Sequence, residues 1–543
     1  SGSPAAPSSA APTVVPGPTA TPERRAAALA AGLADEDLVG QLLMPYAYGT
    51  SATQVSGPNA RGTQALAGVD TPAEMIAKYR LGGLILVGFA PDDPTHANQP
   101  TTNVDSAAQV RELTAGLQSA GAKLPAGSAP MLIGTDQEYG VVTRIKDQVT
   151  ALPSAMAFGA AGNPALTERA WRVAGTELAA LGVNVDFAPV ADVLGAPGSV
   201  IGSRSYGADP RAAAAQVGGA VRGLQGAGVA ATLKHFPGHG HATGDSHEAL
   251  PVLPDSQAAL EAAGLPPFTA GIRAGAGLVM SGHLDVRALD PGTAATFSRK
   301  VLTDLLRGRL GFTGVVVTDA MNMAPAKKYP PGEAAVRAVL AGNDLVLMPP
   351  DLGAAYNGLL TAVRDGRLPR ERLVEAATRV LTLKFRLAVH STPPASVVGS
   401  PAHRDAVRRV AGAAITVLRG RCAPAPLPGP VSVTASGGRG ATTALLVSAL
   451  KAAGVRVLPT GGRVVHLVGY GDGPADLRPD AAATVALDTP YLLAQARSPV
   501  LLATYSSSPA AMSALADVLA GRAKPGGRSP VPVPGLPAST CAL

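Results

Sequence analysis

Short apolar runs alternate with amphipathic segments over most of the first 390 residues. Four or five apolar residues bounded by glycine or polar residues are typical of a strand that is buried on both faces. The intervening segments, for example 165–181 and 211–226, carry apolar residues at helical spacing. Eight such runs occur, at residues 41–44, 83–87, 130–134, 183–187, 228–233, 277–280, 314–317 and 344–348.

Eight strands that alternate with helices predict an α/β fold of the (β/α)8 barrel type. A doubly wound open sheet is the alternative, because a strand count from sequence is easily wrong by one or two. A second, smaller α/β region follows, with strands predicted at 430–433, 464–468 and 499–503 and helices at 440–453 and 509–521. We therefore predict a Pro/Ala/Ser spacer at 1–23, a barrel domain at 24–390, a linker at 391–400 and a C-terminal domain at 401–543.

Composition narrows the class of protein only a little. The net charge of +7 is modest for 543 residues, and no Lys/Arg block with interleaved aromatic residues indicates nucleic-acid binding. No apolar run approaches the length of a membrane-spanning helix. A spacer of this composition ahead of a globular enzyme suits an exported protein. We expect an extracytoplasmic protein, either secreted or lipid-anchored at the cell envelope.

The chain has two cysteines, Cys422 and Cys541, which flank its last segment. Both could be buried thiols. In an oxidising compartment they could instead form a disulfide that ties the end of this segment to its beginning.

Polar residues recur just after the predicted strands. In a barrel, the carboxyl ends of all strands meet on one rim, where barrel enzymes carry their active sites. Each residue alone could be a helix cap or a loop residue, but their recurrence favours a shared site. They are Asp136, Asp192, Lys234, His235, His283 and Asp319.

The loop at 234–247 is the densest polar segment, with four of the nine histidines. A flexible surface loop or an adventitious metal-binding tract is the plain alternative. Asp245 and His247 are two residues apart, so an extended backbone puts both on one face. A carboxylate beside an imidazole fixes its tautomer and makes it a usable acid/base catalyst. The histidines lack the fixed spacing of a helical zinc motif, so we expect no metal and no cofactor.

Asp319 follows an apolar run, and a lone Asp there is usually the N-cap of the next helix. Across a cleft from a proton shuttle it becomes a candidate nucleophile. The segment Lys234-His235-Phe236-Pro237-Gly238-His239-Gly240, followed by Asp245-Ser246-His247, resembles the signature of bacterial β-N-acetylglucosaminidases of glycoside hydrolase family 3, the NagZ type. The resemblance covers about residues 30–385 and continues at 134–140 with Arg144, 202–206, 280–283 and 318–321.

The resemblance implies a retaining double displacement. Asp319 would attack the anomeric carbon, and His247, oriented by Asp245, would protonate the leaving oxygen and then deprotonate water. The substrates would be N-acetylglucosamine-containing saccharides or muropeptides from peptidoglycan, and the protein a monomer. The terminal sugar would be held by Asp136, Arg144, Arg204, Lys234, His235 and His283.

The chain departs from the family pattern at two positions. Tyr139 replaces a usual glycine and Ala320 replaces an aspartate, which leaves the shape of the pocket rim open. The segment at 521–532 resembles the α/β sandwich domain of two-domain members, and no catalytic residue is expected there. Two alternatives stay open: a phosphorylase that uses phosphate in place of water, and a non-catalytic wall-binding or metal-sequestering protein.

Overall fold

A computed structural model of the chain describes Gly17 and residues 19–89, 93, 95, 97–245, 248–422 and 427–541. Within these residues, each of the eight apolar runs overlaps a strand of one parallel ring. The strands are β1 (Leu43–Met44), β2 (Gly83–Leu86), β3 (Leu132–Thr135), β4 (Val185–Asp186), β5 (Ala230–Phe236), β6 (Leu278–Ser281), β7 (Val315–Thr318) and β8 (Val346–Leu347).

The ring closes through hydrogen bonds between the first and last strands. Strands β2 to β7 form a continuous parallel sheet in chain order, and β1 pairs in parallel with β8. A parallel bridge between Val317 and Leu345 joins β7 to the β8 segment. The Ile85 N–H donates to the Pro45 carbonyl at 3.0 Å, which joins β1 to β2. The barrel prediction is therefore confirmed, and the open-sheet alternative is wrong.

Several helices of the barrel region begin after a residue whose side chain caps them. Asn163, for example, accepts hydrogen bonds from the backbone N–H groups of Ala165 and Leu166, and Pro164 stands at the first helical position. The first helix begins at Pro22, inside the predicted spacer. The helices are Pro22–Gly32, Asp35–Gln41, Gly57–Ala67, Pro72–Tyr79, Ala107–Ala122, Ala155–Ala161, Pro164–Ala180, Pro210–Gly226, Gln257–Ala259, Leu260–Gly264, Pro266–Arg273, Lys300–Arg309, Pro331–Ala341, Leu352–Arg364 and Arg370–Leu387.

The interior of the barrel is apolar below the carboxyl rim. Side chains that point inward from alternate strand positions, such as Met44, Phe187 and Val317, fill it and are essentially inaccessible to solvent. A second apolar layer lies between the strands and the surrounding helices. None of the helices in the described part of the chain is both long and apolar enough to cross a membrane.

The second region is a sheet covered by helices, as expected for an α/β sandwich. Its strands are β9 (Thr416–Arg419), β10 (Val431–Ala435), β11 (Arg463–Val468), β12 (Ala483–Ala486) and β13 (Val500–Ala503). They lie in the order β9-β13-β12-β11-β10, and within this sheet the β9–β13 pair is antiparallel while the other described pairs are parallel. The sequence analysis missed β9 and β12. The helices are Pro401–Ala414, Gly440–Ala452 and Pro509–Leu519.

Cys422 and Cys541 are joined by a disulfide, with their Cα atoms 5.0 Å apart. The disulfide prediction is therefore confirmed, and the alternative of two buried thiols is wrong. The bond attaches the end of the C-terminal tail to the segment that follows β9. Between Arg522 and Cys541 the described chain contains no helix or strand.

Candidate active site

A pocket of about 450 Å3 opens at the carboxyl end of the barrel strands. Its lining includes Asp136 and Asp319, which directly follow β3 and β7, and Lys234, which lies in the carboxyl-terminal half of β5. This is the rim where barrel enzymes carry their chemistry. The expectation that strand-end residues converge is therefore met for these three side chains.

Two buried cations share one buried carboxylate in the wall of the pocket. Lys234 Nζ lies 2.7 Å from Glu138 Oε2 and 3.1 Å from Asp136 Oδ1. Arg204 forms a bidentate pair with Glu138, in which Nε donates to Oε1 at 2.8 Å and Nη2 donates to Oε2 at 2.9 Å. Glu138 thus fixes both cations, whereas Asp136, whose side chain is 27% exposed, presents its carboxylate to the pocket.

The charged states of Glu138, Lys234 and Arg204 depend on one another. Burial alone would raise the pKa of Glu138, but the neighbouring Arg204 and Lys234 hold that pKa well below its usual range. Burial alone would lower the pKa of Lys234, and the attraction of Glu138 and Asp136 raises it instead. All three groups are therefore charged at neutral pH. A fixed array of charges of this kind forms strong, directional hydrogen bonds to sugar hydroxyls.

A second ion pair lies on another side of the same pocket. Arg144 Nη1 is 2.9 Å from Asp93 Oδ2, and both side chains are almost completely buried. The backbone N–H of Arg144 also donates to the side chain of Gln137 at 3.0 Å. The guanidinium therefore has a fixed position in the pocket wall, where the sequence analysis expected it.

Asp192, which follows β4, holds His235 near the end of β5 and His239 in the loop that follows it. Asp192 Oδ2 lies 2.8 Å from His235 Nδ1, and Oδ1 accepts the backbone N–H groups of His235 at 3.0 Å and His239 at 2.7 Å. Because a carboxylate accepts, Nδ1 of His235 carries a proton and Nε2 is left to face a ligand. Burial lowers the pKa of His239, so its ring, which also lines the pocket, is neutral near pH 7.

Asp319 lies immediately after β7 with its backbone anchored on both sides. Its N–H donates to the Ser281 carbonyl at 3.0 Å, and its Oδ1 accepts the Ala320 N–H at 2.8 Å. Asp245 lines the same pocket. His247 and Ser246 lie outside the described residues, so the expected Asp245–His247 pair stays a prediction.

His283 has a different position from the one the sequence suggested. Its ring is fully buried and is not part of the described pocket lining. Nε2 lies 2.8 Å from the Ala320 carbonyl, which can only accept, and Nδ1 lies 2.7 Å from Thr296 Oγ1. The sugar contact expected of His283 is therefore corrected: the ring holds the backbone of the residue after Asp319.

Several pocket residues were not assigned a role from sequence. Glu138 could have been found, because it stands two residues after Asp136 in the same motif. Tyr470 could not, because it belongs to the second domain and no motif marks it. Within the described residues, no group of three or more His, Cys, Asp or Glu side chains could hold a metal ion.

The comparisons with known proteins agree with this geometry. The family model "Glycosyl hydrolase family 3 N terminal domain" matches residues 36–383. The chain therefore belongs to glycosyl hydrolase family 3, and the family prediction is confirmed. The solved structure of a glycoside hydrolase family 3 β-N-acetylglucosaminidase from Paenibacillus sp. str. FPU-7 is 34% identical, with a TM-score of 0.79 over 92% of this chain and 99% of that one.

Curated relatives carry related names. β-Hexosaminidase A of Pseudoalteromonas piscicida is 34% identical over 378 residues, which are 64% of this chain and 61% of the relative. β-Hexosaminidase of Stenotrophomonas maltophilia (strain K279a) is 41% identical over 254 residues, 45% of this chain and 73% of the relative. The chain thus spans about three fifths of the length of the first of these relatives.

Proposed function

We propose that the protein is a retaining exo-β-N-acetylglucosaminidase. The observation that carries the proposal is that Asp319 and Asp136 line one pocket at the carboxyl rim together with the ion-paired Glu138, Lys234 and Arg204. The cluster supplies fixed hydrogen-bonding partners for one terminal sugar, and the Asp319 carboxylate is the proposed nucleophile. Family membership and the names of the relatives support the same activity.

In the proposed reaction, an oxygen of Asp319 attacks the anomeric carbon as the bond to the leaving oxygen breaks. His247, oriented by Asp245, gives its proton to the leaving oxygen. The resulting glycosyl ester is then hydrolysed by a water molecule that His247 deprotonates, which returns the enzyme to its starting state. The role of His247 rests on the sequence resemblance and on the presence of Asp245 in the pocket lining.

The proposed substrates are N-acetylglucosamine-terminated fragments of peptidoglycan. The disulfide Cys422–Cys541 supports an extracytoplasmic location, because disulfides persist in oxidising compartments, and cell-wall fragments are found there. A relative from Cellulomonas fimi, 33% identical, carries the name β-N-acetylglucosaminidase/β-glucosidase. An aryl β-glucoside is therefore the second substrate to test.

Hydrolysis of an aryl N-acetyl-β-glucosaminide tests the proposal. We expect Asp319→Asn to lower kcat/KM by about 1000-fold or more, because a neutral amide cannot act as the nucleophile. Asp405→Asn, a change at an exposed position on the helix Pro401–Ala414, is the matched control and should behave as wild type. Near-normal turnover by Asp319→Asn would refute the assignment.

Product analysis separates hydrolysis from phosphorolysis. With and without added phosphate, we expect free N-acetylglucosamine as the product. A sugar 1-phosphate as the main product would make the protein a phosphorylase. Mass spectrometry of acid-quenched enzyme should locate the glycosyl adduct on the peptide that contains Asp319.

A further inference from the structure

The loop at residues 202–208 carries Arg204, and parts of the second domain hold it at both ends. This loop follows β4 and belongs to the barrel region. Its contacts with the second domain bear directly on the pocket, because Arg204 is the partner that fixes Glu138.

Tyr470 holds the first end of the loop. Its hydroxyl accepts the Ser203 N–H at 3.0 Å and lies 3.1 Å from Ser203 Oγ. Burial raises the pKa of Tyr470 to about 12, so the group is a neutral hydroxyl at neutral pH. Gly202 has a φ of +52°, and a Cβ there would lie 2.4 Å from Tyr470 Oη. Close approach of the tyrosine therefore requires glycine at this position.

The second domain holds Tyr470 rigidly. Its N–H donates to Asp488 Oδ2 at 3.0 Å, and its carbonyl accepts from Arg439 Nη2 at 2.7 Å. Arg439 in turn pairs with Asp472 at 3.0 Å. A side chain with this much backbone support can fix the position of a loop that it contacts.

The C-terminal tail holds the other end of the loop. The Ala208 N–H donates to the Pro530 carbonyl at 3.0 Å, and a Cβ at Gly207, whose φ is +140°, would lie 2.6 Å from that oxygen. The neighbouring Arg528 N–H donates to the carbonyl of Ala160 in the barrel region at 3.1 Å. The tail thus lies between the two domains.

We propose that the second domain sets the sugar affinity of the barrel, with Tyr470 as a positioning residue for Arg204. The effect passes from Tyr470 to Ser203, to the adjacent Arg204 and then to Glu138, which holds Lys234. This inference rests on the proposed function and adds to it a role for a domain to which the sequence assigned no part in the site.

Tyr470→Phe tests the inference with the smallest possible change. Without the hydroxyl, the Ser203 N–H loses its partner and the Arg204 loop is no longer fixed. Arg204 would contact the sugar equally in the ground state and the transition state. KM for the aryl N-acetyl-β-glucosaminide should therefore rise about 10-fold while kcat changes less than about 2-fold. Tyr491→Phe makes the same change in the same domain outside the described pocket lining and should leave both constants unaltered.

Gly202→Ala disturbs the same contact between Tyr470 and the Arg204 loop by a change in the barrel region. The added methyl group would displace the tyrosine hydroxyl, so KM should again rise with little change in kcat. Circular dichroism and thermal unfolding confirm that each variant is folded at the assay temperature. An unchanged KM in Tyr470→Phe, or an equal rise in Tyr491→Phe, would overturn the inference.

Binding of N-acetylglucosamine, measured by calorimetry, separates this inference from the proposed function. The expected result is about 10-fold weaker binding to Tyr470→Phe than to wild type. A wild-type protein that neither binds nor hydrolyses N-acetylglucosaminides would refute the proposed function, and this inference with it. An active wild type with unaltered binding in Tyr470→Phe would refute the inference alone.

Discussion

Two buried lysines at opposite ends of the barrel have opposite electrostatic environments. Lys234, 2% exposed at the carboxyl end, lies between Glu138 and Asp136, and its pKa is raised. Lys384, 1% exposed, lies at the amino end, where its Nζ is 2.6 Å from the neutral oxygen of Gln41. Burial lowers the pKa of Lys384 to about 7.

The charged clusters at the two ends of the barrel also differ, because one of them borders a pocket. At the amino end, the fully buried Asp344 pairs with Arg307, with Arg372 at 3.0 Å and with Arg379 at 3.3 Å. At the carboxyl end, the cluster around Glu138 borders a pocket. The difference indicates that charge at the amino end stabilises the fold, whereas charge at the carboxyl end serves ligand binding. Three substitutions test this comparison, and a fourth extends it to a buried carboxylate of the second domain.

Asp344→Asn should have the largest effect, and on stability alone. It removes the negative charge that Arg307, Arg372 and Arg379 share, which should cost about 4 kcal/mol of unfolding free energy. Arg372 and Arg379 keep Glu375 as a partner, whereas Arg307 loses its counter-charge. Thermal unfolding should then occur about 5 °C below wild type, since the shift per kcal/mol is small in a domain of this size. KM and kcat, measured well below the unfolding temperature, should be unaltered; a changed KM would break the comparison.

Asp136→Ala should show the reverse behaviour. Loss of a charge-assisted hydrogen bond to the sugar should lower kcat/KM about 100-fold, equivalent to about 2.7 kcal/mol. The unfolding temperature should stay within a few degrees of wild type, because Glu138 still holds Lys234. A large loss of stability with normal kinetics would place Asp136 in the structural class with Asp344.

Lys384→Met should stabilise the protein by about 2 kcal/mol at pH 7, because it removes the cost of burying an amine with one neutral partner. The folded-state pKa of about 7 is below the unfolded value of 10.5. The cost in the wild type is therefore absent above pH 10.5 and grows as the pH falls to 7. Thermal unfolding should show a larger advantage of the variant at pH 7 than at pH 9. An advantage independent of pH would contradict this explanation.

Asp488→Asn should have the smallest effect, in the second domain. Burial raises the pKa of Asp488 to about 6, above the unfolded value of 3.8, so the folded state favours the protonated acid. Its contribution to stability is complete below pH 4 and is lost as the pH rises through 6. As the pH rises from 4 to 7, the free energy of unfolding of the variant should increase by about 1 kcal/mol relative to that of wild type, measured by thermal unfolding. A stability advantage of the variant over wild type that grows as the pH is lowered would contradict the raised pKa of Asp488.

The sequence predicted the barrel well because its strands are buried on both faces. Each apolar run therefore stands out between polar segments, and the side chains at strand ends mark the rim. The strands β9 and β12 were missed because of their surroundings: β9 follows directly on a helix, and β12 lies within an alanine-rich stretch.

The site residues that sequence could not predict depend on tertiary contacts. Tyr139 replaces the family's usual glycine and has a φ of +61°, a conformation that glycine adopts more readily. It was expected to affect the pocket rim, but it is 3% exposed and its ring packs 5.6 Å from that of Trp171. Packing against tryptophan offsets the backbone strain, and no local pattern encodes such a contact.

The contacts that Tyr470 and the C-terminal tail make with the Arg204 loop have a consequence for biosynthesis. Pro530 follows Arg204 by roughly 300 residues, so a ribosome needs on the order of half a minute to reach it after the loop has emerged. The barrel strands are complete long before then, but the loop has neither Tyr470 nor the tail beside it. The wall of the pocket that Arg204 and Glu138 form is therefore completed late in translation, after the barrel strands that carry it.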